Sequence, residues 1–124
     1  MSSAIEGLEP GPVWTHFAAL ARIPRGSKNE AAAAQHVLDF ARQLGLEARQ
    51  DAVGSVVIEK PASPGREKSP AVCLQGHLDM VCEKNADKVH DFTKDPIEIV
   101  RKDNVLMANG TTLGADNGIG VATE

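Results

Sequence analysis

A histidine and an aspartate one residue apart, His77 and Asp79, close an apolar run in LQGHLDMVCEKN, residues 74–85. In an extended chain residues i and i+2 point to the same side. The imidazole and the carboxylate are then neighbours, and Leu78 faces the core. A metal-bound histidine needs a partner that fixes its ring and raises its basicity, and a carboxylate two positions on can be that partner. Gly76, just before, permits close approach of another backbone. Taken alone, such a triplet is more often a surface histidine bonded to its aspartate, because short motifs recur by chance.

A second stretch, GTTLGADNGIG at residues 110–120, bears on the choice. Five of its eleven residues are Gly or Asn, and Asp116 sits among them. Glycines permit positive φ and tight packing around a carboxylate. The residues after Asp116 should open a helix, whose dipole favours an anion at its start. Asp116 there either binds a divalent cation or serves as an ordinary N-cap. Gly-rich loops before helices also cradle phosphates. A phosphate loop, however, needs a Lys and a hydroxyl after its last glycine, and GIGVAT has no Lys. Asp116 would also repel a phosphate.

Other metal-ligating side chains are less suggestive. Cys73 is expected as a core thiol within its strand. Cys82, shortly after His77, has the chemistry to join a zinc site, but no CxxC pair supports a zinc ribbon. His16 and His36 fall on helices at non-matching spacing and His90 in a loop, so all three read as ordinary.

Bulk properties exclude several classes. The 124 residues suffice for one domain with a core. Net charge is −4 and aromatics are 3% with no Tyr, so neither a basic nucleic-acid surface nor a base-stacking platform is present. No apolar run is long enough to span a membrane, and the first residues lack a signal-peptide pattern. With two cysteines near one apolar run, a disulfide framework is not expected and a cytoplasmic setting is the default.

The elements that must position these residues follow from periodicity. Residues 1–11 read as a loose polar tail. Pro12 suits the first turn of a helix whose apolar face is Val13, Phe17, Leu20 and Ala21, ending near Arg22 before Pro24. Ser27 with Glu30 three residues on is a capping box for a helix over 28–44, with a stripe of Ala33, Val37, Phe40, Ala41 and Leu44 and a C-terminal Gly45. An exposed strand is expected around 46–53, a more buried one at 55–60, and a polar Pro/Gly loop at 61–70. AVCLQ, 71–75, reads as a central strand. A long connection follows, then a hairpin turning at Lys102-Asp103-Asn104, then a helix from about Asn117. Helices before and after strands indicate an α/β fold, a mixed sheet flanked by helices, with both motifs at strand ends where such sheets bind ligands. The chain stops at GIGVATE, where that helix begins, and is therefore expected to belong to a longer polypeptide.

Taken together, GHLDMV, GTTLGADNGIG, the early W…F…IPRGSKNE region, DAVGSVVIEKPAS and VHDFTKDPIE resemble the aminoacyl-histidine dipeptidases. These are also called cytosolic nonspecific or bacterial carnosinase-like dipeptidases, within the superfamily of co-catalytic dizinc peptidases and deacylases. The resemblance implies that residues 1–124 are the N-terminal part of a zinc-peptidase catalytic domain. It implies that His77 is a ligand to one zinc, that Asp79 is the catalytic acidic residue orienting that site, and that Asp116 bridges two zincs. It implies a cis peptide between Asp116 and Asn117. The complete site takes two zinc ions, or other divalent metals such as Co or Mn. It implies dipeptide substrates, including Xaa-His types such as β-alanyl-histidine, and a full-length protein that is a cytoplasmic homodimer.

In that family the general-base Glu, an adjacent Glu ligand, a further Asp, a distant His and an inserted lid domain all lie beyond the counterpart of Asp116. None is within this chain, and Glu124 is too near to be either Glu. The chain alone is therefore expected to be inactive and to fold poorly, with open strand edges. Two rival readings are a non-catalytic homologue of the same fold that binds a peptide or partner, and a phosphate-binding α/β module.

Overall fold

A computed structural model of the protein describes residues 3–124. Its elements are a 3-10 helix (Ser3–Ile5), helices α1 (Gly11–Ala21) and α2 (Ala31–Gln43), strands β1 (Glu47–Gln50), β2 (Val56–Glu59), β3 (Ile99–Lys102) and β4 (Val105–Ala108), and helix α3 (Ala115–Thr123). The fold is α/β. Its strands form two separate antiparallel pairs, β1 with β2 and β3 with β4.

Helix α1 follows its sequence signals closely. Pro12 lies in its first turn, where the missing N–H costs nothing. Phe17, Ala18, Leu20 and Ala21 are buried, and Arg22 is the C-cap ahead of Pro24. The face they form packs on α3. Trp14 meets Phe17 edge-on at 6.3 Å. Residues 1 and 2 of the expected loose tail lie outside the described residues. The rest of it is not loose: Ala4 and Ile5 are buried in the same core as Phe17. Two apolar residues among glycines and charges carry no periodic signal, and tertiary burial overrides the local reading.

Helix α2 begins later than the sequence suggests. Its N-cap is Glu30, without a side-chain cap bond. Ser27 is no cap, because its hydroxyl is drawn to Asp79. The Glu30 carboxylate instead accepts from the Lys28 N–H at 2.5 Å. The buried face is Ala33, Ala34, Leu38 and Ala41, while Phe40 and Leu44 of the expected stripe stay exposed.

The β1–β2 hairpin packs against α2, paired from Glu47↔Glu59 to Gln50↔Val56. β2 is mostly exposed rather than buried. The expected strand over 71–75 does not form: residues 70–79 carry no strand assignment, Val72 and Leu74 are exposed, and Cys73 is an exposed thiol rather than a core one. An apolar run becomes a central strand only when strands lie on both sides. Among the described residues, each hairpin pairs only with itself.

The β3–β4 hairpin turns at Asp103 and Asn104 as expected, with Asp103 at φ 55°. Ile97 and Ile99 join Met80, Phe17, Ala21 and Ala122 in the core. Gly26 and Met80 form a parallel bridge, where Met80 N donates to the Arg25 carbonyl at 2.9 Å. That bridge places the His77–Asp79 segment beside the loop between α1 and α2. No helix among the described residues is long and apolar enough to cross a membrane.

Candidate metal centre

His77 and Asp116 reach one point from two different elements. His77 precedes the Met80 bridge, and Asp116 opens α3. The helix start is irregular: Gly114 takes a left-handed conformation (φ 74°) as N-cap, and Asp116 and Asn117 have non-helical backbone angles. The Asp116–Asn117 peptide is cis, as the resemblance implied. Asp116 is therefore no N-cap. Its carboxylate turns away from the helix N-terminus toward His77. Gly76 is required by this crossing: a Cβ there would lie 2.6 Å from Nδ2 of Asn117 and 2.9 Å from Oε1 of Glu124.

The histidine is held on both sides. Nδ1 lies 3.0 Å from Oδ1 of Asp79 and 3.1 Å from the Asp79 carbonyl oxygen. Both oxygens only accept, so Nδ1 carries the proton and donates. Nε2 faces Oδ1 of Asp116 at 3.1 Å. In the neutral ring Nε2 is then a lone pair pointing at a carboxylate. Two acceptors face each other, and a cation between them resolves the conflict. In the metal-free chain a proton plays that part. Asp116 foremost, with help from Asp79, holds the imidazolium pKa above its ordinary value against the opposing effect of desolvation. Asp79 itself is held below the usual carboxylate range, first by the Ser27 hydroxyl and then by His77.

The donor chemistry fits a divalent metal. Two ligands of one tetrahedral zinc, each about 2.0–2.1 Å from the ion, sit roughly 3.3 Å apart, close to the observed 3.1 Å. Asp79 on Nδ1 is the outer partner that fixes a metal-bound histidine's tautomer. The Asp116 side chain is 97% exposed and that of His77 49% exposed, so the point they share is open on its outer side. Among the described residues no third His, Cys, Asp or Glu joins them to make a ligand cluster.

Two contributors were not legible in the sequence. Ser27 Oγ donates to Oδ2 of Asp79 at 2.5 Å, completing a line Ser27–Asp79–His77–Asp116. Arg25 is only 2% exposed. Its Nη1 donates to the Leu78 carbonyl at 3.0 Å and its Nη2 to the Gly114 carbonyl at 2.8 Å. The one available signal was an arginine placed between Pro24 and Gly26, where a helix ends.

The remaining candidates stay apart. Cys82 is partly buried against Gly26, its thiol raised by burial. His16 packs edge-on against Phe40 and His90 against Phe92. An open groove of about 300 Å3 between α1, α2 and the end of α3 is lined by Val13, His16, His36, Phe40 and Val121. It holds neither His77 nor Asp116, so it is not where the chemistry lies.

No family model matches the chain. The cytosol non-specific dipeptidase of Escherichia coli (strain K12) is 46% identical over 121 residues, 98% of this chain and 25% of that protein. The crystal structure of aminoacylhistidine dipeptidase from Vibrio alginolyticus superposes with a TM-score of 0.93 at 48% identity, again over 98% of this chain and 25% of the other. The chain thus spans about a quarter of the length of the relatives it matches. In fold and sequence the chain is similar to that quarter of the aminoacyl-histidine, or cytosol non-specific, dipeptidases.

Proposed function

We propose that this chain supplies one side of the metal site of a zinc-dependent dipeptidase that hydrolyses dipeptides, including Xaa-His types such as β-alanyl-histidine. The observation that carries the reading is the His77 Nε2–Asp116 Oδ1 pair, with Nδ1 held by Asp79, in a chain of this similarity. His77 and Asp116 would hold zinc, Asp116 in position to be shared by two ions, with Co or Mn as possible substitutes. Zinc at such a site supplies Lewis acidity and lowers the pKa of a coordinated water towards neutrality.

The chain's own residues have defined parts in this. Asp79 keeps the proton on Nδ1 and so keeps Nε2 free as a donor. Ser27 keeps Asp79 ionised and fixes its rotamer. Gly76 and Gly114 let α3 come close enough for Asp116 to meet the ring.

The chain alone is proposed to be inactive. Two metal donors without a third, and Asp79 already engaged by Ser27 and His77, leave no complete site and no free base among the described residues. The complete enzyme is proposed to be a cytoplasmic homodimer.

A chimera tests this. The segment is placed in the Escherichia coli dipeptidase in exchange for the quarter it matches. Zinc-dependent dipeptide hydrolysis by the chimera, abolished by His77→Ala or Asp116→Ala, is the expected result. A folded chimera whose activity survives both substitutions contradicts the reading.

A further inference from the structure

We infer that Arg25 is a positioning residue that sets the spacing between His77 and Asp116 by gripping the backbones that carry them. Its guanidinium is buried between the two segments. Nη1 holds the Leu78 carbonyl, one residue after His77, with the Asp79 carbonyl at 3.5 Å. Nη2 holds the Gly114 carbonyl, two residues before Asp116. The planar fork, with donors in fixed directions, serves both carbonyls at once and fixes their separation.

The surroundings are shaped to this group. A Cβ on Gly114 would lie 2.6 Å from Nη2, and one on Gly118 would lie 2.8 Å from it. Two glycines of the Gly-rich turn therefore leave room for the guanidinium as well as for the turn. The arrangement is not one of simple ion pairing. Among the described residues, every side-chain bond from Arg25 goes to a backbone carbonyl, and Nε is buried without a partner. Burial pulls the guanidinium pKa down, opposed by the nearby Asp79 charge. A buried charge is a poor device for stability alone, since apolar replacements of such groups are often neutral or better. What it supplies here is a fixed link at the His77 and Asp116 end of two segments that are otherwise tied further along, by the Lys84↔Thr111 bridge and the bonds of Thr112 to Val81 and Glu83.

The test is NMR on the metal-free chimera with the Escherichia coli dipeptidase, comparing the wild-type segment with Arg25→Met and Gly118→Ala. Wild type should show contacts between the His77 ring protons and the Asp116 β-protons. Arg25→Met should lose them while the Trp14–Phe17 contacts and the β3–β4 cross-strand contacts persist. Gly118→Ala, which displaces Nη2, should lose them too. Added to Arg25→Met it should change little further, because its closest neighbour is gone. An Ile99→Ala control of matched stability should keep them.

Persistence of the His77–Asp116 contacts in folded Arg25→Met overturns the inference. So does unfolding of both variants, or equal loss in Ile99→Ala, since the role would then be structural only. A second arm titrates Zn2+ while following the His77 ring. This arm alone rests on the proposed metal site, and Arg25→Met should bind on the order of tenfold or more weakly. Equal binding by wild type and Arg25→Met counts against Arg25. Absence of saturable binding in wild type counts against the metal site and leaves the NMR contacts to decide on Arg25.

Discussion

Nε2 of His77 faces Oδ1 of Asp116 across 3.1 Å, while Nδ1 of the same ring is committed to Asp79. In the neutral ring this arrangement sets two acceptors against each other on the Nε2 side, and a proton or a metal ion there relieves the conflict.

The first consequence is a pH signature. In the metal-free chain His77 should titrate above its ordinary value of 6.5, chiefly because of Asp116. A pKa raised in the folded state stabilises fully below the unfolded value and is lost as pH rises through the folded value. The contribution is small, since both groups are solvent-screened. An NMR titration of the ring checks this: Asp116→Asn should bring the pKa back down more than Asp79→Asn does.

Ser27→Ala should free Asp79. The carboxylate loses its 2.5 Å hydrogen bond, and its depressed pKa should move up toward the ordinary value of 3.8. A depressed carboxylate stabilises above its unfolded pKa and loses that effect as pH falls through the folded one. Carbon-13 detection of the Asp79 carboxyl measures the shift. Zinc affinity should fall on the order of tenfold, as for other residues that orient a metal ligand.

Gly76→Ala should disturb the site through packing. The new methyl would meet Asn117 Nδ2, Glu124 Oε1 and, at 3.4 Å, Val121 Cγ2. Overpacking of this kind costs about 1–3 kcal/mol. Denaturant unfolding gives the loss, and the ring shift of His77 shows whether α3 has moved away.

How much of this was legible in the sequence depends on the kind of signal. His77, Asp79 and Asp116 stood out because ligand chemistry and glycine context are local. α1 and the β3–β4 hairpin were legible because Pro12, the apolar period and Asp103-Asn104 fix them locally. The 71–75 run misled, because an apolar pattern does not reveal whether strands lie beside it. Ser27 misled because a capping-box pattern and a long-range bond to Asp79 use the same hydroxyl. Arg25 was invisible, since a single buried charge has no period and its partners are carbonyls 53 and 89 residues away.

The isolated chain should associate. Val57, Ile58, Val72, Leu74, Val105 and Met107 are all exposed, and each two-stranded sheet has open edges. Such sheets are marginal alone and recruit other strands. Analytical ultracentrifugation should show concentration-dependent oligomers, reduced by charged substitutions at Val57 and Ile58. A monodisperse monomer at high concentration runs against this expectation.

The most direct measurement is nitrogen-15 NMR of the His77 imidazole during a zinc titration of the metal-free chimera. The account predicts that Nε2 shifts to the metal-bound range while Nδ1 keeps its proton, and that Asp116→Ala weakens the effect. Zinc that leaves Nε2 unchanged, or binds equally well without Asp116, contradicts it.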